Sequence, residues 1–155
     1  MPPVAGRGLR WPSVQLKGPF AMKNAQRWIT LHCYFLNASR NRSLFEQELE
    51  AGRAGEPHSL IHLLLWYGCL YTVVEGYRQE AIDDPSTNAL LHDNIKVQLL
   101  RRCRNAVFHY AKDYIDPRVD AVFVAEGFVA WVRDLHGALS TFFLSDPSAE
   151  THSSK

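Results

Sequence analysis

Arg104 and His109 are the two side chains best suited to chemistry in this sequence of 155 residues. A histidine titrates near neutral pH, so it can take up or release a proton during a reaction. An arginine stays charged, and its fork of N–H groups fits the oxygens of a phosphate. These two residue types therefore suit acid/base chemistry on a bound phosphate. Asn105 follows the arginine directly.

Arg101 and Arg102 bring three guanidinium groups into the four residues that end at Arg104. Each contact with a phosphate would make nucleic-acid binding more sensitive to salt. The formal net charge is only +1, so the molecule as a whole attracts polyanions weakly and any such contact must be local. A solvated helix face, with ion pairs to acidic residues four positions away, explains Arg101 and Arg102 equally well.

A predicted third helix carries these residues. It begins after Asp93, a favourable N-cap, and continues to about residue 114. Its expected core stripe has intervals of three or four residues, at Ile95, Leu99, Cys103, Ala106 and Tyr110.

That stripe fixes where the other side chains point. Arg104 projects to one side of the helix, and Asn105 and His109 project to the other. Phe108 points away from the core. An outward aromatic side chain favours a covering partner, so Phe108 predicts the interface of a homodimer in which the arginines and histidines of two chains meet.

The rest of the chain also has helical periodicity, and no segment resembles a strand. A first helix is expected over residues 25–50, and it can divide near Ser43, which forms a capping-box pattern with Glu46. The second helix, residues 58–80, is apolar almost all round, which is typical of the centre of a bundle. Residues 81–89 predict a turn.

A fourth helix is expected to begin at Asp116 and Pro117, an N-cap followed by a proline in the first turn. The predicted fold is all-α, an antiparallel bundle of four to five helices in one domain at 25–144. Residues 1–24 are expected to form a mobile arm, and 145–155 a frayed tail. No uninterrupted apolar run reaches the roughly 18 to 20 residues of a membrane span, so no membrane contact is expected.

The segment Arg104-Asn105-Ala106-Val107-Phe108-His109 resembles the signature of HEPN domains. That signature is an arginine, a polar residue, three variable residues and a histidine on a helix of a small all-α bundle. The stretch LLRRCRNAVFHY around it is similar to the HEPN core helix. The resemblance implies a HEPN-like fold over most of the chain.

The resemblance also implies an activity, that of a metal-independent endoribonuclease needing no cofactor and working across a dimer. Arg104 would bind phosphate, His109 would be the acid/base, Asn105 would orient, and the product would carry a 2′,3′-cyclic phosphate. Such a protein could be the toxic half of a toxin–antitoxin or defence pair, with an antitoxin protein as partner. The alternative is a non-catalytic HEPN-like dimer that binds a nucleotide, RNA or partner protein.

Other candidate residues predict structure rather than chemistry. His58 and His62 have the spacing of metal ligands, but a solvated first turn of the second helix is the preferred interpretation, so no metal site is expected. Glu75 is expected to form a salt bridge, with an arginine of the third helix as a candidate partner, and His136 to lie at the core edge. Core aromatic residues are predicted at Trp66, Tyr67, Tyr71, Tyr77, Phe123, Trp131, Phe142 and Phe143.

The three cysteines, Cys33, Cys69 and Cys103, are odd in number and far apart in the sequence. This usage argues against a disulfide framework and against a cysteine zinc site. A reducing cytoplasm fits best.

Overall fold

The computed structural model describes residues 22–109 and 116–145, with side chains from residue 26 onward. Most of these residues are helical and none is in a strand, so the all-α prediction is confirmed. The six helices are α1 (Met22–Glu50), α2 (Pro57–Gln79), α3 (Pro85–Leu91), α4 (Asn94–Phe108), α5 (Pro117–Val124) and α6 (Phe128–Leu144). The predicted arm and tail lie almost wholly outside the described residues, and the HEPN-like arrangement stays a prediction.

α2 occupies the centre because it is apolar on nearly every side. It packs against both α1 and α4. Its bounds match the predicted second helix to within one residue at each end, and Pro57 lies in the first turn, where a missing N–H is tolerated. Five of its side chains are almost fully buried: Trp66, Tyr67, Leu70, Val73 and Val74.

By length and composition, α2 could also cross a membrane, with a mean hydropathy of 1.2 over 18 residues. Half of that stretch is buried inside the fold, and the core helix of a soluble protein meets the same criterion. The expectation that the chain contacts no membrane therefore stays a prediction.

α1 runs antiparallel to α2, since Arg27 at its beginning pairs with Glu80 and Glu48 near its end contacts His58. The predicted break near Ser43 is wrong, because α1 is continuous. Ala38 is fully buried in this stretch, and an ion pair one turn apart, Arg42 with Glu46, supports the helix.

α2 ends in a Schellman motif. The N–H of Ile82 donates to the Tyr77 carbonyl, and the N–H of Ala81 donates to the Arg78 carbonyl, both at 3.2 Å. Ala81 takes the left-handed position, with φ of +50°. A Cβ is crowded in that conformation, so the backbone is strained at Ala81.

The predicted turn at 81–89 is too long, because α3 begins inside it at Pro85. Asp84 is its N-cap, and the carboxylate accepts from the N–H of Thr87 at 2.7 Å. This is the same aspartate–proline pair that begins α5, where the Asp116 side chain accepts from the N–H of Arg118. The predicted start of the fourth helix at Asp116 and Pro117 is confirmed.

The predicted fourth helix is two helices rather than one. α5 ends at Val124 and α6 begins at Phe128. Between them Gly127 takes a left-handed φ of +67°, which glycine adopts without strain. Phe123 near the end of α5 is half exposed, so its predicted core role is wrong.

α4 begins at the predicted cap, where the Asp93 carboxylate accepts from the N–H of Lys96. Its buried face consists of Val97, Leu100 and Cys103. The predicted stripe, which began at Ile95, is wrong by about a quarter of a turn, and Ile95 is 77% exposed. The error arises because two sets of apolar residues have helical spacing with Cys103. Ile95 and Leu99 form one set, and Val97 and Leu100 form the set that is buried. Tyr110 lies outside the described residues.

His136 of α6 lies inside the core at 4% exposure. Its Nδ1 accepts a hydrogen bond from the Trp66 indole at 3.0 Å, and its Nε2 is 3.2 Å from the Ser39 hydroxyl. Because Nδ1 accepts, Nε2 carries the proton and the imidazole is neutral. Burial, with a smaller contribution from Arg42, lowers the pKa of His136 to about 4.

Candidate functional site

The Arg104 side chain faces α2 because the true core stripe is rotated towards it. Its guanidinium forms an ion pair with the Glu75 carboxylate, and its carbon lies 5.3 Å from the centre of the Tyr71 ring. The Arg104 side chain is 23% exposed. The predicted salt bridge between Glu75 and an arginine of this helix is confirmed.

Arg104 still has unused bonding capacity. Its Nε atom is buried and has no hydrogen-bond partner among the described residues. A buried donor without a partner carries a desolvation penalty of about 1–3 kcal/mol. Glu75 thus holds the Arg104 guanidinium, while its Nε–H group has no acceptor among the described residues.

Phe108, the last residue of α4, lies at the side of the helix rather than pointing away from the core. Its ring rests on Gly68 of α2, so close that a Cβ added to Gly68 would be 2.9 Å from the ring atom Cε2. The side chain keeps 52% exposure. The outward orientation in the prediction is therefore wrong, although half of the ring is accessible to a partner.

His109 follows the end of α4 in extended conformation and is exposed. Asn105 is partly buried one turn earlier. No ion pair or hydrogen bond joins Arg104 to His109 within the described part of the chain. One chain by itself therefore keeps the guanidinium at the α2 interface and the imidazole in solvent.

Arg101 and Arg102 are both exposed on α4. Among the described residues neither forms an ion pair. Arg102 lines an open depression of about 320 Å³ beside Ile95 and Leu99. The end of α4 thus presents two guanidinium groups and an imidazole to solvent, in addition to the half-exposed Phe108 ring.

The two histidines with metal-ligand spacing have different partners. His58 contacts Glu48 at 2.9 Å, and Nδ1 of His62 is 3.4 Å from the Asn41 side chain. Hydrogen bonds from Arg53 and then His58 lower the pKa of Glu48 to about 2. Within the described residues, no group of three histidine, cysteine or acidic side chains could hold a metal.

The cysteines show no feature of a reactive thiol. Cys33 is exposed, Cys69 is partly buried and Cys103 is buried, and none is in a disulfide. Burial raises the pKa of the Cys103 thiol to about 12 and also raises that of Cys69. The thiols of Cys69 and Cys103 are therefore protonated at neutral pH and are poor nucleophiles.

The arrangement at the end of α4 can bind a polyanion and can transfer protons through His109. Comparison of the chain with protein-family models, with curated proteins and with solved structures found no match. For a reaction at one phosphate, the imidazole and a guanidinium must approach the same group, which requires a rearrangement or a second chain.

Sequence reasoning missed a second cluster of polar side chains, where the end of α2 meets α3 and the start of α4. Arg78, Asn88, His92 and Asn94 line one cleft there. Arg78, Asn88 and Asn94 come from three helices and His92 comes from the turn between α3 and α4, so the four follow no periodic spacing. The one available signal was Asp84-Pro85, which would have predicted α3 and brought these segments together.

Proposed function

We propose that the chain is a metal-independent endoribonuclease of HEPN type that acts as a homodimer. The observation that carries this proposal is the exposed imidazole of His109 beside the arginines at the end of α4. The histidine supplies acid/base capacity at neutral pH, and the arginines supply the charge that RNA phosphates require. The proposal includes a cytoplasmic location and an antitoxin protein as partner.

The reaction needs only these side chains and the RNA. His109 takes the proton of a ribose 2′-hydroxyl, whose oxygen then attacks the adjacent phosphorus. The bond from phosphorus to the 5′-oxygen breaks, and this oxygen receives a proton from the acid form of a histidine. The products are a 2′,3′-cyclic phosphate and a 5′-hydroxyl. Arg104 stabilises the charge on the phosphate oxygens, and Asn105 orients the imidazole or the substrate.

A dimer would resolve the separation of Arg104 and His109 in a single chain. The half-exposed Phe108 ring lies between them and supplies an apolar surface that a second copy could cover. A two-fold axis near Phe108 would turn the His109 of one protomer towards the Arg104 of its partner. The site would then be complete only between subunits.

A non-catalytic module that binds a nucleotide, RNA or partner protein is the second candidate. The ion pair between Arg104 and Glu75 favours it, because a carboxylate next to the guanidinium weakens the stabilisation of a transition-state charge. Arg101 and Arg102 would still bind phosphates in such a module.

RNA cleavage in the presence of a chelator separates the two candidates. Wild type, Arg104→Ala and His109→Ala are incubated with RNA, and the product ends are analysed. Arg40→Ala and His58→Ala serve as matched controls, because both residues are exposed and belong to α1 and α2 rather than to α4. The ribonuclease proposal predicts cyclic phosphate ends from wild type and both controls, with cleavage lost in the other two variants.

Two other outcomes decide against that proposal. Cleavage that persists in Arg104→Ala and His109→Ala contradicts the assigned roles. Absence of cleavage by every protein, together with RNA binding that weakens with added salt, favours the binding module. Light scattering at several concentrations tests the dimer independently of activity.

A further inference from the structure

A cleft of about 470 Å³ lies where the end of α2 meets α3 and the start of α4. This volume falls within the range of small-molecule sites. Its apolar wall includes Ile82 and Leu91, with the Tyr77 ring behind them. The polar groups at its rim include Arg78, His92 and Asn94, all of which are exposed.

Among the residues that the structure describes, no acidic side chain lines the cleft, and the neighbouring carboxylates have partners of their own. Asp84 and Asp93 cap α3 and α4, and Asp93 also pairs with Lys96 at 3.0 Å. Asp83 accepts from the Asn88 amide at 2.6 Å, and Glu80 pairs with Arg27. Asp83 and Asp84 accept only from uncharged groups and keep their charge, which adds to burial in raising the pKa of Tyr77. Among the described residues that line the cleft, Arg78 is the one with a permanent positive charge.

The Arg78 side chain forms few hydrogen bonds with the described residues. Its one hydrogen bond with the described residues runs from Nη2 to the Leu91 carbonyl at 3.4 Å, which is long for such a bond. Among the described residues it forms no ion pair. Most of its donors can therefore turn towards a ligand.

The strained residue Ala81 also lines the cleft. Glycine would fill this Schellman position without strain, but it would remove a methyl group from the apolar wall. Strained backbone that persists is more frequent at binding sites than elsewhere. The alanine thus adds apolar contact area at the site of the strain.

We propose that this cleft binds a small phosphate monoester whose body has an apolar or planar face, such as a mononucleotide. Arg78 and His92 hold the phosphate, Asn94 supplies an amide, and Ile82 with Leu91 contact the body. A phosphate monoester carries almost two charges and three acceptor oxygens, and the guanidinium of Arg78, the His92 ring and the Asn94 amide offer one donor group for each oxygen. A carboxylate, with one charge and two oxygens, would be satisfied by Arg78 alone.

This site is independent of the proposed ribonuclease activity. Asn94 precedes Arg104 by ten residues, which is about 15 Å along α4. A ligand in the cleft therefore does not contact the end of α4, and either proposal can fail without the other.

Isothermal titration of the full chain with AMP tests the proposal, with adenosine and inorganic phosphate as the two partial ligands. AMP is expected to bind more tightly than either. Arg78→Gln should weaken AMP binding by about tenfold to a hundredfold, the value of one charge-assisted contact. Asn94→Trp, which fills the rim, should weaken it as well. Arg40→Gln, an equal loss of charge on the exposed face of α1, should leave it unchanged.

Arg104→Gln distinguishes this cleft from the end of α4. AMP binding that persists in Arg104→Gln supports the cleft, whereas binding lost there and kept in Arg78→Gln overturns it. The proposal is also overturned if AMP does not bind, or if adenosine binds as tightly as AMP. Circular dichroism of each variant verifies that the fold is retained, and Asn94→Trp supplies a second reading if Arg78→Gln unfolds.

Discussion

Glu75 and Arg104 form an ion pair between α2 and α4 at the edge of the helix interface. The Glu75 side chain is 34% exposed and the Arg104 side chain is 23% exposed. Because water screens the charges, the pair contributes less than about 1 kcal/mol to the free energy of unfolding. Its larger consequence is for anion binding, since the carboxylate offsets the charge that a bound phosphate would meet.

If the chain binds RNA as proposed, removal of the Glu75 charge should strengthen that binding. Glu75→Gln keeps an oxygen that can accept from Arg104 and removes the repulsion between carboxylate and phosphate. We expect affinity for a single-stranded RNA oligonucleotide to rise by about threefold, equivalent to one screened surface charge interaction. Fluorescence anisotropy at low salt measures this change, which should shrink as salt is added.

Glu46→Gln is the matched control, because Glu46 pairs with Arg42 on the opposite side of α2. Its RNA affinity should equal that of the wild type. If Glu75→Gln instead weakens binding, Glu75 acts by positioning Arg104 rather than by opposing the substrate.

Helix starts were predictable wherever a local capping signal decides them. Asp93, Asp116 and Pro117 specify their helix ends through contacts within three residues, so the sequence alone predicts them. The start of α3 at Asp84 and Pro85 carries the same signal and could have been predicted in the same way.

The orientation of α4 was not predictable from spacing. Ile95 and Val97 are both apolar, and only packing against α2 and α5 decides which of the two faces is buried. That rotation turns Arg104 towards Glu75 and leaves Phe108 at the side. The approximate location of the candidate site could thus be predicted, but the partners of its residues could not.

The buried imidazole of His136 should make the fold sensitive to acid. Its pKa is about 4 in the folded chain and 6.5 in an unfolded one, so between these values the unfolded state binds the extra proton. Stability is therefore full above pH 6.5 and falls as the pH decreases towards 4, by about 3 kcal/mol. Urea unfolding measured from pH 4 to pH 8 gives the slope.

His136→Gln removes this titration while keeping an acceptor for Trp66 and a donor for Ser39. The variant is expected to be less stable at neutral pH but to lose less stability on acidification. His62→Gln, at a partly exposed position on α2, should keep the wild-type pH dependence. Identical slopes for wild type and His136→Gln would contradict the assignment.

Replacement of the strained residue at the end of α2 should stabilise the fold. Ala81→Gly relieves the left-handed conformation of a residue with a Cβ, and we expect a gain of about 0.5–1 kcal/mol in the free energy of unfolding. The matched control is Ala130→Gly in α6, exposed and helical, which should lose about 1 kcal/mol. Thermal unfolding of both variants measures whether stability rises in Ala81→Gly and falls in Ala130→Gly. A loss of stability in both variants would argue against strain at Ala81.

Two glycines of α2 should respond differently to the same methyl group, because their neighbours differ in freedom. A Cβ at Gly76 would lie 2.5 Å from Cδ1 of Leu31, and a Cβ at Gly68 would lie 2.9 Å from Cε2 of Phe108. Leu31 is buried in the core, whereas Phe108 is half exposed and can swing outward.

Alanine is favoured over glycine within a helix by about 1 kcal/mol, so both substitutions begin with the same gain. At Gly76 that gain is outweighed, because displacing a packed leucine costs about 1–3 kcal/mol, and a net loss of stability is expected. At Gly68 the ring moves at little expense, so stability should stay level or rise. Denaturant midpoints of Gly76→Ala and Gly68→Ala measure the difference, and equal losses in both would mean that the Phe108 ring is held as firmly as the core.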